Sequence, residues 1–253
     1  MQVIAHRGAS FLEPENTIRS IERAVKMGAD FVEVDVRVSK DNHLIIMHDA
    51  DINRTTDGKG LVKDYTVSEL KKCDAGYQNS KFWSREHELF EASQSTDCDS
   101  RKNKIFAGNG ERIPTLDEVI ACVKGRVGLV IEIKEPGTEG KVLEKIDENN
   151  LENVILTSFY HKSIKNARKM NPSVDAGIIF TCQPVDVNQM ASNASANIIF
   201  PSYRYMNEDM VKQAKNKGIS VYPWTIDDPE IFEKFVEMGV DGIVTNKLIE
   251  KSK

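Results

Sequence analysis

Short apolar runs alternate with helix signals along almost the whole chain, and no other feature narrows its possible folds as far. The runs cover 3–6, 31–37, 43–48, 128–134, 154–158, 176–180, 197–202, 219–225 and 241–245. Between them stand helix punctuation marks. Asn16 or Thr17 caps a segment with apolar residues at Ile18, Ile21, Ala24 and Val25 that stops at Gly28. Thr115-Leu-Asp-Glu118 after Pro114 is a capping box. Asp228-Pro229 starts a helix that Gly239 stops. Strands alternating with helices imply a mainly parallel sheet covered on both faces. A (β/α)8 TIM-type barrel is the leading α/β architecture, and a doubly wound open sheet is the alternative. No G-x-G-x-x-G turn follows any run, which disfavours a dinucleotide-binding version of the open sheet. Nine runs compete for eight barrel positions, so one of them is short or lies outside the closed sheet.

A single barrel domain over 1–253 fits the length. Residues 77–112 break the rhythm. They are polar, yet carry Phe82, Trp83, Leu89, Phe90 and Phe106, which suggests an insertion forming a lid or small subdomain at the barrel mouth. A net charge of −5 argues against nucleic acid as a partner. No window approaches the ~18 apolar residues of a membrane span, so no stable membrane insertion is expected. The first residues lack the pattern of a secretory leader. Cys73, Cys98, Cys122 and Cys182 show no C-x-x-C spacing and read as free thiols, which implies a cytoplasmic setting.

The chemistry starts in the stretch FVEVDVRV from Phe31. Successive strand side chains point to opposite faces. Val32, Val34 and Val36 therefore turn one way, and Glu33 and Asp35 stand about 7 Å apart on the other. Two such carboxylates repel unless a cation or a proton lies between them; in water, on an edge strand, they would need neither. The same parity joins Val130, Glu132 and Lys134 against Leu129, Ile131 and Ile133. It also joins Ile4 with His6, and Ile46 with His48. At the carboxyl ends of barrel strands, where reactive groups collect, these side chains share one destination.

Glu33, Asp35 and Glu132 bring three negative charges, and hard oxygen donors suit Mg²⁺ or Ca²⁺ better than zinc. Arg7 and Lys134 add two positive charges beside them, a combination that clamps a phosphate ester. His6 and His48, not needed as ligands, are then available as general acid and base.

Taken together, His6-Arg7-Gly8, Pro14-Glu15-Asn16-Thr17, Glu33-Val-Asp35, His48-Asp49, Arg54-Thr-Thr-Asp-Gly-Lys-Gly60 and Glu132-Ile-Lys134 closely resemble the glycerophosphodiester phosphodiesterase family. Ile113–Val119, Ser158-Phe159, Trp224-Thr225 and Asp241–Thr245 extend the likeness over nearly the whole chain. The resemblance implies a (β/α)8 barrel that hydrolyses a small-molecule glycerophosphodiester to glycerol 3-phosphate and an alcohol. By motif position it makes His6 and His48 the acid/base pair and Glu33, Asp35 and Glu132 the metal ligands. Arg7 and Lys134 become phosphate contacts, Trp224 a wall of the substrate pocket, and Glu15 a neighbour of the metal centre. The long polar insertion departs from the family pattern and bears on which alcohol is accepted. Two rivals remain at this point: a phospholipase-D-like barrel acting on lysophospholipid headgroups, and a non-catalytic phosphodiester-binding protein. The first should carry an apolar lid and the second should have lost a histidine or a ligand.

Overall fold

A computed structural model of the protein describes residues 1–76 and 110–248. The strands are β1 (Gln2–Ala5), β2 (Phe31–Val38), β3 (Leu44–Ile46), β4 (Gly128–Ile133), β5 (Val154–Ser158), β6 (Asp175–Phe180), β7 (Ile198–Pro201), β8 (Ser220–Val221) and β9 (Gly242–Thr245). The α-helices are α1 (Ile18–Lys26), α2 (Val67–Leu70), α3 (Leu116–Val123), α4 (Glu139–Glu148), α5 (His161–Met170), α6 (Val187–Asn193), α7 (Glu208–Lys215) and α8 (Pro229–Glu237).

Eight strands run parallel in the order β8-β7-β6-β5-β4-β2-β1-β9. Backbone bonds from Asp241 N to Val221 O (3.1 Å) and from Val244 N to Pro223 O (3.0 Å) bring the two ends together, making a nearly closed barrel. The surplus strand is β3, which pairs antiparallel with β2 through Val36 and Ile46, outside the ring. His48 therefore does not ride on a barrel strand, contrary to the shared parity expected for Ile46 and His48. Ile46 packs instead with Val34 and Val36 in the shell beneath the helices.

Strand parity sorts the rest as anticipated. Val32, Val34, Val36, Leu129, Ile131 and Ile133 face outward into one core with Ile21 and Ala24 of α1 and Leu116, Val119 and Ile120 of α3. Ile4, Phe31, Val130, Ile155, Ile198, Tyr222 and Val244 fill the barrel interior. This apolar plug leaves the carboxyl end of the barrel as the place for polar groups. The capping residues also act as expected. Thr17 caps α1 in a box with Ser20, Thr115 caps α3 with Glu118, and Asp228 caps α8.

A satellite core of Ile45, Met47, Ile52, Val62, Leu70, Ala75 and Ile113 supports the chain after β3. The insertion expected over 77–112 lies outside the described residues except for its last three. Its two flanks meet, Ala75 N donating to Glu111 O (2.8 Å) and Gly110 N to Asp74 Oδ2 (3.1 Å). Among the described residues, no helix is long and apolar enough to cross a membrane.

Candidate active site

The turn after β1 begins the site. Arg7 (φ 56°) and Gly8 (φ 79°) both take left-handed backbone, which folds the chain back immediately after His6. A Cβ on Gly8 would lie 2.3 Å from Ser20 Oγ, so no larger residue fits. This turn points the Arg7 N–H at Glu33 Oε2 (2.9 Å) and lays its guanidinium between Glu15 (2.9 Å) and Asp35 (3.3 Å).

Adjacent positions on β2 and β4 then bring the acids together. Asp35 is in register with Glu132, and Glu33 with Val130. Glu33, Asp35 and Glu132 are all buried, and each offers an oxygen within 4.8 Å of the others. Lys134 Nζ sits among them, 2.9 Å from Asp35 Oδ1 and 2.5 Å from Glu132 Oε1. Asn16 completes the holding of Asp35, its Nδ2 donating to Oδ2 (2.8 Å) and its Oδ1 accepting from the Asp35 N–H (3.3 Å). Asn16 is therefore a clasp on the site, and Thr17 alone serves as the helix cap.

The carboxylates are not equivalent. Burial pushes Asp35 toward its neutral form, but the charges of Arg7 and Lys134 outweigh burial and hold its pKa low. Burial, then the charge of Asp35, lifts Glu132 to about 7. Burial, Asp35 and Glu132 also raise Glu33 well above the usual carboxylate range. Lys134 stays protonated because, against burial, Asp35 and Glu132 both raise its pKa. Arg7 and Lys134 together thus favour ionised Asp35 over ionised Glu132. Glu33 Oε1 is buried with no hydrogen-bond partner. Three buried carboxylates, two of them reluctant to ionise and one with an unsatisfied oxygen, fit a hard divalent cation.

The histidines approach from different supports. His6 Nδ1 lies 2.7 Å from Asn246 Oδ1. His48 Nδ1 lies 2.6 Å from Asp49 Oδ1, and Arg37 donates to the His48 carbonyl through Nε (2.9 Å) and Nη2 (2.8 Å). Arg54 links Asp49 (2.6 Å) to Glu15 (2.7 and 2.8 Å), so Glu15 joins Arg7 to the His48 side of the site. Burial first, then the Arg7 charge, lowers the His6 pKa to about 4. Burial also lowers that of His48.

His6, Arg7, Glu33, His48, Glu132 and Lys134 line one side of a pocket with about 560 Å³ of empty space. Phe159, Ile179, Phe200 and Trp224 line the other. Phe159 meets Trp224 edge to face, with centroids 5.6 Å apart. The indole N–H is spent on Phe200 O (2.8 Å), so Trp224 offers the pocket only its ring. His6, Arg7, Glu33, His48, Glu132, Lys134 and Trp224 thus line this pocket and Asp35 lies directly beneath it, whereas Glu15 stands behind Arg7 and lines a separate small cavity. Sequence reasoning passed over Asn16, Arg37 and Asn246 as site residues, and also Thr157, whose buried hydroxyl lines the pocket without a partner. Parity alone could have found Thr157, two positions after Ile155 on the inward face of β5. His161 is not part of the lining; its Nε2 meets Ile179 O (2.9 Å).

The chain is similar to known proteins in sequence and in fold. A glycerophosphodiester phosphodiesterase from Caldanaerobacter subterraneus subsp. tengcongensis is 40% identical over 251 residues, covering 96% of this chain and 93% of its own. One from Bacillus subtilis is 32% identical, covering 96% and 82%. Among solved structures, an Oleispira antarctica phosphodiesterase in complex with the product sn-glycerol-3-phosphate superposes with a TM-score of 0.82 at 26% identity, over 98% of this chain and 94% of its own. A Thermotoga maritima glycerophosphodiester phosphodiesterase gives 0.74 at 26% identity, over 98% and 95%. The family model for glycerophosphoryl diester phosphodiesterases matches residues 6–250, running from the first pocket histidine to beyond the last barrel strand, and the chain belongs to that family.

Proposed function

We propose that this protein hydrolyses glycerophosphodiesters to glycerol 3-phosphate and an alcohol, with a divalent cation, Mg²⁺ or Ca²⁺, held by Glu33, Asp35 and Glu132. The observation that carries this reading is the convergence of two histidines, two cations and three buried carboxylates on one pocket. The bound product in the Oleispira antarctica relative supports the substrate class.

Arg7 and Lys134 bring positive charge to the phosphate, whose non-bridging oxygens gain charge in the transition state. One of His6 and His48 takes the proton of the attacking oxygen, and the other returns a proton to the alkoxide as the P–O bond breaks. A bound cation would supply Lewis-acid neutralisation of the phosphate charge. The rings of Phe159, Phe200 and Trp224 offer an apolar wall to the C–H groups of the glycerol or the alcohol. Residues 1–253 form one catalytic domain in this reading, with 77–112 as an insertion that tunes the accepted alcohol. Free thiols at Cys73, Cys122 and Cys182 agree with a cytoplasmic enzyme.

Retention of both histidines and all three carboxylates speaks against a binding-only protein. The test is release of the headgroup alcohol from glycerophosphocholine, glycerophosphoethanolamine and a lysophospholipid, each with Mg²⁺ or Ca²⁺, the other product being glycerol 3-phosphate from the first two and lysophosphatidate from the third. We expect release from the first two. No release from any of them with either metal would overturn the proposal, and preference for the lysophospholipid would favour the phospholipase-D-like reading.

A further inference from the structure

The two histidines are held by partners of different chemistry. His48 faces a carboxylate, whereas His6 faces the side-chain amide of Asn246, just past the end of β9. That amide has only one workable orientation. Its Nδ2 lies 2.7 Å from Asp227 Oδ2, and an ionised carboxylate only accepts hydrogen bonds. Asp227, in the loop before α8, is itself anchored by the Asn246 N–H (2.7 Å) and the Thr245 hydroxyl (3.0 Å), both donating to Oδ1. With Nδ2 committed to Asp227, Asn246 presents its carbonyl oxygen to the imidazole. A carbonyl also only accepts, so His6 Nδ1 must carry the proton.

We propose that Asp227 and Asn246 form a positioning relay that locks neutral His6 in its Nδ1–H tautomer, leaving the Nε2 lone pair free to accept a proton. Neither residue touches the reacting atoms; each acts through His6. The relay also gives the barrel seam a second task, because Asp227 and Asn246 come from the segments following β8 and β9, where the ring closes. Burial, which keeps His6 neutral, makes its tautomer the property that matters at neutral pH. The inference rests on the proposed role of His6 in proton transfer, but the tautomer can be read without any substrate.

The test compares wild type with Asp227→Asn, Asn246→Ala and the double exchange Asp227→Asn/Asn246→Asp, using ¹⁵N shifts of the His6 ring in the full-length protein. In Asp227→Asn the new amide can donate toward Asn246, which turns its own NH₂ toward His6 and forces the Nε2–H tautomer. We expect that switch, with kcat lowered about 10²–10⁴-fold and KM changed little, the scale seen when a catalytic histidine is held in the wrong tautomer. The double exchange again presents an acceptor to Nδ1 and should recover both tautomer and most of the turnover, which a merely structural role would not predict. Asn246→Ala should give a mixture of tautomers and covers the case in which Asp227→Asn does not fold. An unchanged Nδ1–H population in either foldable single variant, or no recovery in the double exchange, overturns the relay. Full turnover in His6→Ala, with the tautomer behaviour as described, would instead overturn the proton-transfer role of His6.

Discussion

Replacing Glu132 by Gln removes one charge from the triad at nearly constant shape, and its effect on the metal-free protein should depend steeply on pH. Burial and the charge of Asp35 lift Glu132 to about 7 from the usual 4.5. At about 1.4 kcal/mol per pH unit, ionising it in the folded protein costs roughly 3 kcal/mol. The sign follows from proton binding. The folded pKa exceeds the unfolded one, so between these values the native state holds more protons, and stability falls as pH rises. Below about 4.5 the acid is neutral in both states, and Glu132→Gln should match wild type. Above about 7 the whole penalty is present in wild type and absent from the variant. With the chelator in place, the variant should then be more stable by about 3 kcal/mol, or roughly 6–12 °C in Tm for a chain of this size. Thermal and urea unfolding at acid and alkaline pH would measure it. The Lys134 ammonium keeps Asp35 as a partner, so loss of Glu132 does not strand it. Metal affinity should fall by more than the roughly 10–100-fold that follows loss of an outer-shell partner. A variant uniformly less stable than wild type, with no dependence on pH, would refute the reasoning.

Three further outcomes follow from the site. His6→Ala and His48→Ala should each lower kcat by at least ~10²-fold with little change in substrate affinity, measured by steady-state kinetics with glycerophosphocholine; near-full turnover removes that residue from proton transfer. Millimolar Mg²⁺ or Ca²⁺ should raise Tm, by an amount equivalent to about 2.7 kcal/mol at a hundred times Kd; a chelator should abolish activity and added metal restore it, and full activity after chelation would sink the metal site. Because Ala75 and Glu111 are already joined by a backbone bond, replacing 77–109 with a short Gly-Ser linker should leave the barrel folded by circular dichroism while changing KM and alcohol preference; an unchanged substrate profile would deny the insertion a part in recognition.

The acids were legible because a strand ties residue type to face with a period of two, so the sequence alone places Glu33, Asp35, Glu132 and Lys134 on one side. The interior plug and the helix caps were legible for the same local reasons. An apolar run such as Leu44–Ile46 carries no sign of direction. Only the pairing of Val36 with Ile46 reveals that it turns back antiparallel and leaves the ring. The holding network was hidden for a different reason. Asn16 on Asp35, Arg54 on Glu15 and Asn246 on His6 span 19, 39 and 240 residues. Asn16 and Arg54 fall within recognisable motifs, but nothing local to them, or to Asn246, names the distant partner each one holds.

The excursion of β3 from the ring gives the two pocket histidines different supports. His6 follows β1, which is paired on both sides within the barrel, while His48 follows a short strand that pairs with β2, meets Thr115 through one further bridge and rests partly on a small apolar cluster. A substitution in that cluster should therefore disturb the support of His48 before it reaches the strand pairing of the ring. Inactivation and unfolding should then separate, the first more sensitive to Ile45, Met47, Ile52 and Ile113 and the second to the barrel. Substitutions in the cluster would then alter the spacing of the two histidines while the scaffold beneath stays as it is.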